Sequence, residues 1–303
     1  MGATERPLIS IVMLCYNHER FVSEALDGVF SQTYTPLEVI IVDDCSSDAT
    51  ADIVGARVDR VQCHPNVRFI RNPRNTGLLG ACETGIKAAK GEFIIFTCDD
   101  DVMLPEMVSE MAEFWQSTNA SLVTTNAALI DADSNSLGCT FRDLNSEADD
   151  SFETLVRDGA NACCFGATMG FTPEVYARFG MPPAHLNNID ILYPFYAAVL
   201  NGARYLNKPL LRYRIHGKND SLSLIEDRSD ERGKLEVRDR IFYGHIAHAV
   251  VMMDELDRLS ETMPDRYREI APAIRPLLTI QAVEMAKKLV RNRVQLEMLE
   301  SGQ

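Results

Sequence analysis

The chain has 303 residues, of which 46% are hydrophobic and 24% charged, as in a globular protein with a sizeable core. Its formal net charge of -14 argues against nucleic acid as a partner, because phosphate binding needs an excess of basic residues. The sequence predicts no signal peptide and no membrane-spanning helix, and its eight scattered cysteines, with no C-x2-C pair, indicate free thiols in a reducing compartment.

The first half of the sequence alternates predicted strands with predicted helices. Runs rich in β-branched residues predict strands at 8–14, 37–42, 67–70, 92–98 and 121–130. Helical spacing, N-cap residues and flanking glycines predict helices that begin near residues 17, 48, 77 and 105. Because a helix between successive strands makes a right-handed parallel crossover, we expect an α/β fold with a mostly parallel central sheet flanked by helices.

The second half predicts a less regular arrangement. Residues 131–158 are polar and acidic, which indicates a flexible loop or a small hairpin. Helices are expected at 173–179 and 189–200, before a late strand at 203–211. After a charge-dense segment, apolar stripes predict a C-terminal appendage of two or three helices, separated by Pro264, Pro272 and Pro276.

Polar or acidic residues follow four of the predicted strands. They are Tyr16 and Asn17, Asp43 and Asp44, Asn75, and the triplet Asp99, Asp100 and Asp101. Since ligands of open α/β sheets bind at the carboxyl ends of the strands, we expect these side chains to line one pocket. Carboxylate oxygens suit Mg²⁺ or Mn²⁺ on a diphosphate, whereas the absence of a P-loop or dinucleotide motif disfavours an ATPase or a dehydrogenase.

Taken in this order, the motifs resemble those of family 2 glycosyltransferases of the GT-A fold. The matching segments are 9–17, 39–47, 75–91, 93–105 and 206–221. They are distributed over residues 8–221, which are about two thirds of the chain. The resemblance implies a Rossmann-like GT-A fold and the inverting transfer of a sugar from a nucleotide-diphosphate sugar. It also implies a divalent metal, Mn²⁺ or Mg²⁺, as the cofactor.

The resemblance also implies roles for individual residues. Tyr16 and Asp44 are expected to contact the base, with Asn17 and Asn75 in the same nucleotide site, and Asp99 is expected to lie near the ribose. Asp100 matches the last carboxylate of the family's D-x-D motif and is expected to bind the metal. His216 matches the histidine after the late strand and is expected to reach the metal or the diphosphate, with help from Arg214.

Two motifs depart from the family pattern. Cys98 stands where the family has the first aspartate of D-x-D, which leaves the role of Asp101 open. Cys82 and Glu83 replace the family's Arg-Asn pair after the glycine-rich turn, which weakens a sugar contact there. The other histidines, including His18, have no support from a motif.

The general base is the least secure assignment. In the family, it belongs to a Glu-Asp pair at the start of a helix before the late strand, and here the pair is reduced to Ile189-Asp190. Asp190 is the predicted base, because it is the carboxylate available there. In a shifted alignment the pair falls on Asn187-Asn188, and the enzyme would then be impaired or would use His185.

The leading interpretation is a metal-dependent inverting glycosyltransferase that builds a bacterial polysaccharide or surface glycan. The donor is expected to be a UDP-sugar, with dTDP- and GDP-sugars as alternatives, and the acceptor a glycan or a lipid-linked glycan. A catalytically impaired GT-A domain that binds nucleotide or serves as an assembly partner stays open. A nucleotidyltransferase is disfavoured, because the basic, glycine-rich loop that would bind a triphosphate is missing.

This interpretation divides the chain into two parts. Residues 1–225 are expected to form the GT-A domain, with a nucleotide-binding half (1–118) and an acceptor-binding half (119–225). Residues 226–303 are expected to form a helical extension, whose apolar stripes are available for homo-oligomerisation. The expected location is the cytoplasm, and peripheral attachment to the inner face of the membrane stays open.

Overall fold

A computed structural model describes residues 6–60, 66–144, 166–186, 189–217 and 230–301. The predicted strands and helices appear in the predicted order, and two short strands, at 102–103 and 170–171, are present in addition. In chain order they are β1 (Ile9–Cys15), α1 (Val22–Phe30), β2 (Leu37–Asp43), α2 (Thr50–Arg60), β3 (Val67–Arg71), α3 (Gly77–Ala88), β4 (Phe93–Cys98), β5 (Val102–Met103), α4 (Met107–Thr118), β6 (Leu122–Ile130), β7 (Ser136–Thr140), β8 (Gly170–Phe171), α5 (Pro173–Phe179), α6 (Leu192–Val199), β9 (Ala203–Arg214), α7 (Glu231–Thr262) and α8 (Pro264–Ser301).

Within the described residues, nine strands form one mixed sheet in the order β3-β2-β1-β4-β8-β6-β9-β5, and β7 pairs with β6. The long pairings are parallel: β1 with β2 and β4, β2 with β3, and β6 with β9. The antiparallel pairings are those of the short strands β5, β7 and β8. The prediction of an α/β fold with a mostly parallel central sheet is therefore confirmed.

Strand β1 lies at the centre of the parallel part, and all seven of its residues are buried. This burial explains its continuous apolar sequence, because a parallel strand is covered by helices on both faces. Gly85 lets α3 lie directly on β1, since a Cβ there would be 2.2 Å from Val12 Cγ1. Gly28 lets α1 approach β5 in the same way, since a Cβ there would be 2.9 Å from the backbone nitrogen of Met103.

The predicted hairpin after β6 is confirmed for residues up to 144. Its turn is closed by Asp131, whose Oδ1 accepts hydrogen bonds from the backbone N–H groups of Asp133 (2.8 Å) and Asn135 (2.9 Å). Residues 145–158 of the predicted loop lie outside the described residues. The late strand β9 continues to Arg214, three residues beyond its predicted end, because it pairs with β6 up to Ile130 and with β5.

The C-terminal helices α7 and α8 pack against each other. Helix α7 begins at an N-cap, Asp230, whose side chain accepts a hydrogen bond from Gly233 N (2.8 Å). Asn292 of α8 ties the pair together, because its buried Nδ2 donates to Leu235 O (2.7 Å). The predicted appendage therefore consists of two long helices.

The prediction that Pro272 and Pro276 separate helices is wrong, because both lie inside α8. An internal proline costs a helix about 3 kcal/mol through a lost hydrogen bond and a steric clash. Here Ile270, Ile274 and Leu278 are buried on both sides of the prolines, and burying such a side chain contributes about 1.5–3 kcal/mol. Packing against α7 therefore keeps the helix continuous through the prolines.

A second apolar stripe lies on the opposite side of α8. It consists of exposed side chains at positions that share one helical face: Ile280, Val283, Val290, Val294 and Met298. We call it the outer stripe.

The described residues divide into two compact units, one that ends at Arg214 and one that begins at Ile215. The predicted domain borders and the predicted nucleotide and acceptor halves stay predictions. Within the described ranges, no helix has both the length and the apolarity that a membrane crossing requires. The described cysteines, Cys15, Cys45, Cys82, Cys98 and Cys139, are free thiols.

Candidate active site

The carboxyl ends of β1, β2 and β4 lie side by side at one edge of the sheet. Cys15 pairs with Asp43 and Leu14 pairs with Cys98, so the residues that follow the three strands emerge together. The backbone N–H of Asp44 donates to Cys15 O (2.9 Å), and that of Asp99 donates to Leu14 O (3.1 Å). The structure therefore brings the predicted polar strand ends into one place.

The loop after β1 presents Tyr16 and is held by Asn17. Asn17 has a left-handed backbone (φ 55°), which asparagine tolerates better than most residues. Its Oδ1 accepts hydrogen bonds from the backbone N–H and hydroxyl of Ser47 (2.8 and 3.2 Å). Asn17 thus fastens the β1 loop to the β2 loop, whereas the ring of Tyr16 is 44% exposed at the sheet edge.

Asp44 fastens the end of β2 to the start of α3. Its buried carboxylate accepts from the backbone N–H (2.9 and 3.0 Å) and the hydroxyl (2.7 Å) of Thr76, and from Asn72 Nδ2 (2.7 Å). Asn75 is exposed next to Thr76, and its Oδ1 accepts from Gly77 N (2.9 Å). Asp44 and Asn75 therefore adjoin, as expected for a shared nucleotide site.

Asp99 holds the loop after β1 through both carboxylate oxygens. Oδ2 accepts from Tyr16 N (3.0 Å), and Oδ1 lies 2.6 Å from Nδ1 of His18. Burial raises the pKa of Asp99 to about 6, against the lowering effect of His18. Burial alone lowers the pKa of His18, but the hydrogen bond and charge of Asp99 outweigh burial and raise it to about 9.

The structure brings His18, which the sequence interpretation did not single out, to the predicted site residues. Of the histidines that the sequence analysis selected, His216 matches a family motif. His18 lies in the loop after β1, directly after the left-handed residue Asn17, and its ring contacts Asp99. The signal in the sequence is its place three residues after the end of a buried strand.

Asp100 and Asp101 form an acidic cluster with Cys98. One potential ligand atom of each residue lies within 4.8 Å of the others. Asp101 is 1% exposed, and within the described part of the chain its Oδ2 has no hydrogen-bond partner. Burial, followed by the charge of Asp100, raises the pKa of Asp101 well above its ordinary value, and a bound cation would relieve that repulsion.

The donor set of this cluster fits a hard divalent cation. Asp100 and Asp101 supply the oxygen ligands that Mg²⁺ and Mn²⁺ prefer. Burial and the neighbouring carboxylates, that of Asp100 first, raise the pKa of the Cys98 thiol well above its ordinary value, so the thiol is neutral. Because a neutral thiol is a poor ligand for a hard cation, the two carboxylates of the cluster fit such an ion better than Cys98 does.

Arg214 is hydrogen-bonded to both aspartates of this cluster. Its backbone N–H donates to Asp101 Oδ1 (2.9 Å), and its Nε donates to Asp100 O (2.8 Å). The rest of the guanidinium donates to Glu24 Oε2 (2.6 Å) and Ser134 Oγ (2.7 Å).

The arginine is 1% exposed and lies over the ring of Phe21, with its Cζ 4.9 Å from the ring centroid. Its side chain holds the aspartate loop through these hydrogen bonds, and the expectation that Arg214 assists at the diphosphate stays a prediction.

Asp190 lies two residues before α6, which begins at Leu192. Burial raises the pKa of its carboxyl to about 6, and a hydrogen bond from the Gly166 backbone N–H opposes that rise. A Cβ on Gly166 would be 2.4 Å from Asp190 Oδ1, so the carboxylate occupies the space beside this glycine. The charge of Asp190 also contributes to the raised pKa of the buried Cys82 thiol, which places Asp190 near α3.

The remaining candidate site residues are His185, Asn187, Asn188 and His216. His185 lies in a short 3₁₀ helix, Ala184–Leu186, and is exposed. Asn187 and Asn188 lie outside the described residues. His216 follows β9 by two residues and belongs to the second unit, so its role at the metal stays a prediction.

Several curated sequences similar to this chain are named as glycosyltransferases. An uncharacterized glycosyltransferase of Nostoc sp. is 28% identical over 230 residues, which are 75% of this chain and 70% of that protein. The succinoglycan biosynthesis protein ExoO of Rhizobium meliloti is 34% identical over 131 residues, which are 43% of this chain and 36% of that protein.

Solved structures share the fold of this chain. TarS 1-349 of S. aureus, in complex with UDP-GlcNAc, has a TM-score of 0.58 and 16% identity, and the match covers 97% of this chain and 92% of that chain. The mannosyltransferase PcManGT from Pyrobaculum calidifontis, in complex with GDP-Man and Mn²⁺, has a TM-score of 0.57 and 16% identity, with 97% and 88% covered. At these identities the likeness concerns the fold.

The family described as Glycosyl transferase family 2 matches residues 10–178, which are more than half of the 303 residues. The match includes the strand ends that carry Tyr16, Asp44 and the aspartate triplet. Together with the GT-A-like fold, it identifies the chain as a member of glycosyl transferase family 2 and hence as a glycosyltransferase.

Proposed function

We propose that this enzyme transfers a sugar from a nucleotide-diphosphate sugar to an acceptor hydroxyl, with a divalent metal and with inversion at the anomeric carbon. The observation that carries the proposal is the buried, unsatisfied Oδ2 of Asp101 in a cluster with Asp100. Two carboxylates at a sheet edge that also presents an exposed tyrosine suit a metal-bound diphosphate next to a base.

The nucleotide half of the site consists of Tyr16, Asp44 and Asn75. The exposed ring of Tyr16 offers a face on which a base can stack. Asn75, exposed at the neighbouring strand end, supplies polar groups for the base edge. The buried Asp44 holds the segment that carries Asn75 through its hydrogen bonds to Thr76. Solved structures of the same fold hold UDP-GlcNAc, UDP and GDP-Man, which supports a UDP-sugar as the first candidate donor, with GDP- and dTDP-sugars as alternatives.

The metal half consists of Asp100 and Asp101. When bound there, Mn²⁺ or Mg²⁺ neutralises the charge that develops on the leaving nucleoside diphosphate. His216 is a further candidate ligand, because it matches the family's histidine after the late strand.

Asp190 is the proposed general base. In a single displacement the acceptor oxygen forms a bond to the anomeric carbon, the bond to the diphosphate oxygen breaks, and the acceptor proton passes to the base. A carboxyl group whose pKa is raised to about 6 is ionised at neutral pH and more basic than an ordinary aspartate. His185, exposed in the preceding turn, is the alternative base.

The acceptor is proposed to be a growing polysaccharide, glycan or lipid-linked glycan in the cytoplasm. Relatives named for succinoglycan biosynthesis and chondroitin synthesis support this class. A second copy of the chain is the proposed partner of the outer stripe on α8, because exposed apolar side chains at one helical face favour association.

Metal-dependent donor hydrolysis tests the proposed function. UDP-, GDP- and dTDP-sugars are titrated into the full-length enzyme with Mn²⁺ or with EDTA, and the release of free sugar is followed. We expect one donor to bind in a metal-dependent way and to be hydrolysed slowly, and we expect Asp190→Asn to abolish hydrolysis while binding persists. Tight binding of a donor without turnover for any acceptor would instead favour a nucleotide-binding assembly partner.

A further inference from the structure

The loop after β1 brings a histidine to the metal cluster. His18 Nδ1 lies 2.6 Å from Asp99 Oδ1, and Asp99 is 2% exposed. The backbone of the same histidine is also fixed, because its N–H donates to Thr50 Oγ1 (2.9 Å). The imidazole is therefore anchored at one ring nitrogen by a buried carboxylate.

This anchoring is the arrangement in which histidines bind metals. A metal-ligating histidine donates its second ring N–H to a carboxylate or a carbonyl, which fixes the tautomer and directs the other nitrogen toward the ion. In His18 the bond to Asp99 holds the Nδ1–H on the carboxylate and leaves Nε2 as the nitrogen available to a metal. Because the pKa of His18 is raised to about 9, a metal ion displaces the proton of Nε2 when it binds.

The same imidazole lies close to the metal carboxylates. One ring nitrogen of His18 and one carboxylate oxygen of Asp100 lie within 4.8 Å of each other, and Asp100 is equally close to Asp101. Two ligands of one octahedral ion, each at about 2.1 Å, are about 3 Å apart when adjacent and about 4.2 Å apart when opposite. The 4.8 Å limit is close to this range, so rotation of the two side chains can place both groups on one cation.

We propose that His18 is a ligand of the same divalent ion as Asp100, through Nε2, and that Asp99 positions this imidazole. The inference rests on the proposed metal dependence. It gives the first aspartate of the triplet a role different from the predicted ribose contact, because both oxygens of Asp99 already engage Tyr16 and His18.

A nitrogen ligand has a consequence for metal selectivity. Mg²⁺ is the harder ion, strongly prefers oxygen and retains its water, whereas Mn²⁺ and Co²⁺ accept imidazole nitrogen more readily. The site should therefore bind Mn²⁺ and Co²⁺ more tightly than Mg²⁺, and that difference should depend on His18.

The test measures the binding of Mn²⁺ alone to the full-length protein, by the EPR signal of free Mn²⁺, and Mg²⁺ by competition. We expect His18→Gln to weaken Mn²⁺ binding at least tenfold and Mg²⁺ binding less, with the circular dichroism spectrum unchanged. Asp99→Asn should weaken Mn²⁺ binding by a smaller factor, because the amide oxygen still accepts from Nδ1. His245→Gln, a substitution on α7, is the matched control and should leave Mn²⁺ binding unchanged.

A second measurement does not depend on the folding of the His18 variant. Electron spin-echo modulation of Mn²⁺ bound to the unsubstituted protein should show coupling to a ¹⁴N nucleus, which should persist in His216→Gln. Loss of the coupling in that variant, or its absence in the unsubstituted protein, would overturn the assignment of His18 while the metal dependence survives. Unchanged Mn²⁺ affinity in His18→Gln would do the same. Failure of the unsubstituted protein to bind Mn²⁺, alone or with UDP, would overturn both proposals.

Discussion

Replacing Asp190 with asparagine should stabilise the protein at neutral pH while it abolishes transfer. Burial raises the pKa of the folded-state carboxyl to about 6, compared with 3.8 as its ordinary value. Between these two values the folded state keeps a proton that the unfolded state has lost, so the stability of the unsubstituted protein falls as the pH rises through this window. Asparagine does not ionise and escapes this loss.

The size of the effect follows from the shift. A difference of 2.2 units, 6 minus 3.8, corresponds to about 3 kcal/mol at 1.36 kcal/mol per unit, as an upper bound. The carboxyl is buried but the residue as a whole is partly exposed, so we expect about 1–2 kcal/mol. The amide Oδ1 can still accept the hydrogen bond from Gly166 N.

The assay is urea denaturation at pH 4.5, 6.0 and 7.5, followed by the fluorescence of Trp115. This single tryptophan is stacked on Phe93 (centroid distance 4.8 Å) and reports on the unit that contains Asp190. Asp133→Asn is the control, because its side chain is 74% exposed and should change stability by less than about 0.5 kcal/mol. An Asp190→Asn protein no more stable than the original at pH 7.5, or stabilised equally at pH 4.5, would refute the reasoning about burial. Retained transfer would refute the assignment of the base.

Three further predictions concern the surroundings of the site. Glu24→Gln should lower the free energy of unfolding by about 1–2 kcal/mol, because the charged partner of the buried Arg214 is lost, although Glu24 is 35% exposed. Glu174→Gln, which breaks an exposed i,i+4 pair, should cost about 0.5 kcal/mol or less, and equal losses in the two variants would contradict the importance of burial. Gly166→Ala should reduce transfer at least tenfold, because the added Cβ displaces the Asp190 carboxylate. The control is Gly55→Ala, whose Cβ would have its nearest contact at 4.0 Å and which should leave both activity and folding intact. Normal transfer by Gly166→Ala would show that the carboxylate tolerates displacement. Val294→Glu on the outer stripe should leave stability within about 0.5 kcal/mol and lower the mass measured by light scattering, and an unchanged mass would exclude this stripe as the contact between copies.

The parts of the fold that the sequence predicts best are those governed by local pattern. Strand β1 is apolar at nearly every position because both of its faces are covered, and β4 ends where its apolar run meets the aspartates. Since the register of parallel strands aligns their carboxyl ends, the clustering of Tyr16, Asp44 and Asp99 follows from topology alone.

The parts that could not be predicted depend on contacts between residues far apart in the sequence. Arg214 carries the same charge whether it faces a diphosphate or the interior, and its direction is decided by Glu24, 190 residues earlier. The continuity of α8 through Pro272 likewise depends on packing against α7, which no local propensity encodes. The contact of His18 could not be predicted for the same reason, because its partner Asp99 lies 81 residues away in the sequence.

The place of β9 in the sheet has a consequence for how the enzyme can be dissected. Strand β5 follows the aspartate triplet immediately, and in the sheet its neighbour is β9, which is also joined to β6. The family match ends at residue 178, before β9 begins at Ala203. A fragment cut to the family segment would retain Asp44 and the aspartate triplet, yet it would lose Asp190 and the strand that braces the aspartate loop. We expect such a fragment not to bind nucleotide, and we expect binding to be recovered if a peptide that carries β9 pairs with the open edge.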